Sequence, residues 1–217
     1  MYKTVVFDLD GTLLNTLTDL ADAGNRLCRK YGWPTHERQA YRYFVGNGIP
    51  KLVERLSPAD QRTPAVLEAA LADFKRDYGQ HLRDTTAPYP GIPEMLAKLK
   101  ANGVQLAVFS NKADALAKEV VKDYFGTQYF TIVRGQMTGV APKPAAEGTN
   151  ALLQALHADP ASTLYVGDSN VDVETAHNAN LPCCGAVWGF RTREELNAAG
   201  AEYLAENSDE LYDVIMK

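Results

Sequence analysis

The chain is poor in the residues that build disulfide frameworks and zinc sites. Three cysteines occur in 217 residues: Cys28 stands alone, and Cys183 and Cys184 are adjacent, where neighbouring strand side chains point to opposite faces. A disulfide scaffold is therefore not expected. The histidines His36, His81, His157 and His177 lie far apart, without H-x-H or H-x-x-x-H spacing and without a cysteine nearby, so no zinc pattern forms. Long apolar runs are missing as well. The longest, Leu181 to Phe190, falls well short of the roughly 18 residues a membrane span needs, and Asp8 interrupts the N-terminus before a signal-type segment develops. Nor is there a basic excess: 22 Lys and Arg face 27 Asp and Glu, a formal charge of −5 with no basic block, which argues against nucleic acid and anionic membranes as partners. No fixed-period repeat or low-complexity segment is visible. These absences predict a soluble, cytoplasmic chain whose partner is a small molecule.

What is present is an ordinary globular composition, 46% apolar and 23% charged, long enough for one large domain or a core domain with a small insertion. Thr4, Val5, Val6 and Phe7 read as a buried parallel strand. Similar short runs follow at 105–110, 131–134, 163–166 and 183–187, separated by segments of helical periodicity. Ile92, Met95, Leu96 and Leu99 fall at i, i+3, i+4 and i+7, as do Thr149, Leu152, Leu153 and Leu156. The alternation predicts an α/β fold, a Rossmann-like parallel sheet flanked by helices. One interval breaks the rhythm: about 75 residues without a convincing strand lie between the first strand and Pro90, too long for an ordinary crossover. Three apolar stripes fill it: Leu17, Leu20, Ala21, Leu27, Cys28, Tyr31; Ile49, Leu52, Val53, Leu56; and Leu67, Leu71, Phe74, Tyr78. They predict an inserted all-helical domain over 15–84, with the α/β core formed by 1–14 and 85–217.

Ligands of such sheets sit beyond the carboxyl ends of the strands, where the unusual polar residues fall. Asp8 and Asp10 end the first strand, and alternation directs both side chains to one side. Two carboxylates at that range repel unless a cation or proton separates them. Ser110 and Asn111 end the next strand, Lys143 sits between two prolines in a later turn, and Gly167, Asp168, Ser169 and Asp172 follow the fourth strand. Asp8 and Asp168 suit Mg²⁺, which prefers oxygen ligands, and Lys143 adds a point charge for a phosphate drawn there. Gly11 allows close backbone approach, while Thr12 and Ser110 offer hydrogen bonds to phosphate oxygens. Plainer structural readings stand beside these. Asp8 and Asp10 can end a strand in a D-G turn. Ser110 or Asn111 can cap a helix over 112–122, and Asp168 and Asp172 can cap and charge the helix that follows them.

Taken together, DLDGT (Asp8 to Thr12), Ser110, Lys143 in APKP, and GDSNVD (Gly167 to Asp172) resemble the four motifs of the haloacid dehalogenase superfamily of phosphatases, over essentially the whole chain. The resemblance implies a helical cap after the first motif and Asp8 as a nucleophile that becomes phosphorylated. It implies Asp10 as the acid and base, lending Mg²⁺ its main-chain carbonyl, with Ser110 and Lys143 on the transferring phosphoryl group. Asp168 would ligate the metal directly, and Asp172 directly or through a water. Dehalogenases lack the second aspartate because a halide needs no proton, so Asp10 favours phosphate esters. The cap segment Val45, Gly46, Asn47, Gly48 and the late segment Trp188 to Arg191 resemble phosphoglycolate phosphatases, although Asn15 and Ala146 depart from that branch's usual Asp and Pro. Asn47 and Gly48 are the expected substrate contacts from the cap, with Gly11, Thr12 and Asn111 from the core. Lys51 reads as a surface charge or a contact to a substrate carboxylate. The expectation is a Mg²⁺-dependent phosphomonoester hydrolase acting on a small ester such as phosphoglycolate, as a monomer or homodimer. Its rivals are a phosphomutase, a phosphonoacetaldehyde hydrolase-like enzyme in which Lys51 forms a Schiff base, and a non-catalytic phosphate-binding module.

Overall fold

A computed structural model describes all 217 residues, Met1 to Lys217. In chain order the strands are β1 (Thr4–Phe7), β2 (Leu14–Asn15), β3 (Ala87–Pro88), β4 (Gln105–Ala113), β5 (Phe130–Gln136), β6 (Thr163–Gly167), β7 (Cys183–Ala186) and β8 (Tyr203–Ala205). The helices are α1 (Leu17–Tyr31), α2 (Arg38–Phe44), α3 (Ile49–Leu56), α4 (Pro64–Gln80), α5 (Ile92–Ala101), α6 (Asp114–Phe125), α7 (Ala146–Leu156), α8 (Asn170–Asn178), α9 (Arg193–Ala198) and α10 (Ser208–Met216). The chain forms two compact units, one of Met1–Asn15 with Pro88–Lys217 and one of Thr16–Ala87.

The first unit is built on β1, whose four residues are all buried, as a β-branched and aromatic run without polar alternation requires. The main sheet has the order β5-β4-β1-β6-β7-β8 with every neighbouring pair parallel. From β1 the chain builds outward first through β4 and β5, then on the other side through β6, β7 and β8. The carboxyl ends of β4, β1 and β6 therefore meet where the winding reverses, the place where such sheets open a crevice. On one face, Leu152, Leu153 and Leu156 of α7 pack with Phe109, Tyr165, Val173 and Ala176.

Two local readings are corrected. β4 runs past Ser110 to Ala113, because pairing with β5, broken by an irregularity after Phe109, resumes at Ala113 against Gln136; α6 then starts at Asp114 with Ala113 as its N-cap. Ser110 and Asn111 are thus strand residues, not helix caps. The sixth strand, β8, went unexpected: it has three residues, of which only Ala205 is buried, too short for a period to register.

The second unit is helical. α1 buries Leu20, Ala21, Leu27 and Cys28, and α3 buries Ile49, Leu52, Val53 and Leu56. On α4 the buried stripe is Ala70, Phe74 and Tyr78, while Leu67 and Leu71 are half-exposed, so the face is rotated from the expected one. α1 and α4 are cross-linked by Arg26 to Asp77 at 2.7 Å and Tyr31 Oη to Asp73 at 2.8 Å. Asp19, buried at the start of α1, accepts from the N–H groups of Thr85 and Thr86, both at 2.9 Å, and from both hydroxyls. One carboxylate thereby ties the end of the insertion to its beginning.

Removing it leaves four donors short of an acceptor. Asp19→Ala is expected to destabilise the chain by about 2 to 4 kcal/mol in urea unfolding followed by circular dichroism, whereas Asp22→Ala, on the exposed face of the same helix, shifts stability by less than about 0.5 kcal/mol. Similar losses in the two variants would contradict the clamp.

Candidate active site

The carboxyl end of β1 is where the polar residues converge. Pairing with β6 continues for one bond beyond the strand, Asp8 N–H donating to Val166 O at 2.8 Å, and Asp8 is left buried beside the loop that carries Lys143. That loop is held by an amide: Asn111 Oδ1 accepts from Lys143 N–H at 2.8 Å, and Asn111 Nδ2 donates to Lys143 O at 3.2 Å. Lys143 Nζ lies 2.7 Å from Asp172 Oδ1, 2.9 Å from Asp8 Oδ1, 3.1 Å from Tyr165 Oη and 3.3 Å from Phe109 O. Lys143 is the ion-pair partner of Asp8 Oδ1, and this buried oxygen meets no other donor.

Asp172 also anchors its own helix. Its Oδ2 accepts from Ser169 Oγ at 2.7 Å, Ser169 N–H at 3.1 Å and Asp168 N–H at 3.2 Å. The capping and the cluster readings of this residue both hold, one per oxygen. Asp168 accepts from Thr12 Oγ1 at 3.0 Å and Phe190 N–H at 2.8 Å. Two glycines make room for it. At Gly11, with φ +94°, a Cβ would stand 2.3 Å from Asp168 Oδ2; at Gly189 it would stand 2.2 Å from Asp168 Cβ. Only a residue without a side chain fits either place.

The acids Asp8, Asp168 and Asp172 each offer an oxygen within 4.8 Å of the others, and all three are buried. Burial raises the Asp8 carboxyl to about 7, Lys143 opposing the rise and the charges of Asp172 and Asp10 adding to it. Asp168 is pushed well above the ordinary carboxylate range by burial, then by the charges of Asp172 and Asp8. Burial alone would depress Lys143, but the Asp172 and Asp8 charges override it and raise this lysine well above its ordinary value. Three carboxylates thus share one ammonium. Three buried carboxylate oxygens converging in this way, with more negative charge than one ammonium balances, fit a hard divalent cation.

Asp10 pairs with a lysine that the motif reading passed over. Lys112 Nζ is 3.0 Å from Asp10 Oδ1, and Ser110 Oγ accepts from Lys112 N–H at 3.2 Å. Thr12 and Asn111, expected as phosphate contacts, support Asp168 and Lys143 here. Asn47 and Gly48 belong to the helical unit: Gly48, with φ +83°, precedes α3, and Asn47 Oδ1 accepts from Arg55 at 2.8 Å. Tyr165 also went unread, and Gly189 was read only as part of the Trp188 to Arg191 segment. Tyr165 looks like any buried strand residue, and the glycine's reason exists only across the fold.

A parallel α/β sheet with a buried carboxylate and lysine cluster at its switch point is an arrangement suited to phosphoryl transfer. The profile of the haloacid dehalogenase-like hydrolases matches residues 5–186, and the chain belongs to that family. It is 31% identical to the phosphoglycolate phosphatase of Thiobacillus denitrificans over 191 residues, which is 87% of this chain and 84% of that protein. It is 31% identical to the phosphoglycolate phosphatase of Chromobacterium violaceum over 216 residues, 98% of this chain and 96% of that protein. A crystal structure from Lactobacillus delbrueckii subsp. bulgaricus superposes with a TM-score of 0.91 at 28% identity, covering 99% of this chain and 98% of that one. The protein is a phosphatase of this family, in the branch similar to the phosphoglycolate phosphatases.

The cluster has a pH signature. Asp8 has its native value, about 7, above the unfolded 3.8, so the native metal-free chain keeps a proton that the unfolded chain releases, and stability falls as pH rises through that window. Added magnesium is expected to raise Tm more at pH 8 than at pH 5, because at pH 5 it must first displace that proton. Equal stabilisation at both pH values would remove the carboxylate cluster as the binding site.

Proposed function

We propose that this phosphatase hydrolyses a small phosphate monoester, 2-phosphoglycolate, through an aspartyl-phosphate on Asp8. The observation that carries the reading is the Asp8 carboxylate itself, buried beyond the end of β1 with the Lys143 ammonium 2.9 Å from Oδ1 and no other donor on that oxygen. Such a carboxylate can attack phosphorus, with Lys143 and Ser110 holding the phosphoryl oxygens. As the Asp8 oxygen bonds to phosphorus, the ester bond breaks and Asp10 gives a proton to the departing alkoxide. Water then attacks the same phosphorus, Asp10 takes the proton back, and Asp8 leaves as a carboxylate with inorganic phosphate released.

Asp8, Asp168 and Asp172 would hold Mg²⁺, together with the main-chain carbonyl of Asp10. When bound, the ion offsets the crowding of the carboxylates and withdraws charge from the phosphoryl group. Gly11 brings backbone close to the phosphate, and Thr12 and Asn111 hold Asp168 and Lys143 for it. The helical segment 15–84 acts as a cap that excludes water during transfer, with Asn47 and Gly48 contacting the leaving group. The enzyme works in the cytoplasm as a monomer or homodimer. Lys51 gives the carbon–phosphorus hydrolase reading no support, since its ammonium is exposed and paired with Glu54 at 2.8 Å.

Phosphate release from a panel of sugar phosphates, nucleotides, pyrophosphate and 2-phosphoglycolate tests this, with 2-phosphoglycolate expected to give the highest kcat/KM. Chelation of magnesium is expected to abolish turnover, and Asp8→Asn to lower it by about 10³-fold or more. Equal turnover by Asp8→Asn and the parent chain would refute the nucleophile.

A further inference from the structure

Lys112 is a second lysine buried at the strand ends, and its ammonium lies against Asp10. Its side chain is 2% exposed, and Nζ stands 3.0 Å and 3.4 Å from the two Asp10 oxygens. It lies on β4 two residues beyond Ser110, whose Oγ accepts from the Lys112 N–H at 3.2 Å. The two lysines divide the acids: Lys143 serves Asp8 and Asp172, where the phosphoryl group is handled, and Lys112 serves Asp10, where the leaving group departs. Burying an ammonium is costly, and this one adds a positive charge on the leaving-group side.

We propose that Lys112 is a specificity-determining residue that binds an anionic group carried by the leaving alcohol, so that the enzyme selects esters with a carboxylate close to the ester oxygen. The inference rests on the phosphomonoesterase reading, in which Asp10 protonates that oxygen. A proton donor lies within about 3 Å of the atom it serves, and Nζ is 3.0 Å from Asp10. Nζ therefore lies within roughly 6 Å of the ester oxygen. A carboxylate joined through one carbon has its own oxygens about 3 Å from the ester oxygen, which leaves about one hydrogen-bond length to Nζ. A leaving group with a neutral end takes nothing from this cation. An anionic one gains an ion pair with it.

The test compares kcat/KM for 2-phosphoglycolate and ethyl phosphate in the parent enzyme, Lys112→Met and Lys112→Arg. Lys112→Met is expected to lower the ratio of the two by about ten-fold or more, chiefly through KM for 2-phosphoglycolate, while Lys112→Arg keeps most of it. Product inhibition of the parent enzyme answers the same question without a variant: glycolate is expected to compete more strongly than glycolamide, its neutral analogue. An unchanged ratio in a folded Lys112→Met, or equal inhibition by the two products, overturns the role of Lys112. No turnover of 2-phosphoglycolate by the parent enzyme with magnesium overturns instead the proposed substrate on which this inference rests.

Discussion

Everything at the strand ends depends on one electrostatic constraint, the burial of three carboxylates around a single ammonium. Lys143 touches Asp8 and Asp172 from within the protein, and Asp168 completes the acidic set. The attraction between Lys143 and two of these acids is large in a poorly solvated place, but one positive charge does not balance three negative ones. The excess has two outlets, a proton on Asp8 and Asp168 or a divalent cation among the three. The upward shifts of Asp8 and Asp168 express the first outlet, and the convergence of their oxygens makes the second available.

A cluster of this kind survives only if its members are held in place by groups that lose little in doing so. Asp172 spends one oxygen on three donors at the start of α8 and keeps the other for Lys143. Asn111 grips the Lys143 backbone on both sides of its peptide, and Tyr165 Oη and Phe109 O take up the remaining ammonium directions. Gly11 and Gly189 let backbone press against Asp168 where any side chain would displace it. The site is thus fixed by strands and helix starts and by few flexible side chains, as rapid transfer of a charged group requires.

The frame was legible because it repeats. β1, β6 and β7 announce themselves as short runs of β-branched or small apolar residues, and α5 and α7 carry clean apolar periods. What escaped was set by partners remote in sequence. β8 has too few buried residues to show a period, and β4 outlasts its expected end because β5 lies alongside to pair with it. On α4 the buried face follows Ala70, small enough to admit close packing, instead of the larger Leu67 and Leu71. Among site residues, Lys112 was hidden because the sequence reads it as the first residue of a helix over 112–122, where a lysine is an ordinary surface charge, until the fold sets it against Asp10.

By itself the sequence determined the class of fold, the polar residues at the strand ends, and the number of acids and bases available to them. Those follow from chemistry that acts over a few residues: side-chain period, turn formation and the repulsion of neighbouring aspartates. Which acid meets which lysine was decided by tertiary structure alone. Asp8 and Asp172 are 164 positions apart and Asp10 and Lys112 are 102 apart, and only the parallel register of β4, β1 and β6 brings them together. Charge interactions fall off with distance and with solvent, so the division into two lysine and aspartate groups has no existence until the sheet has formed and water has left.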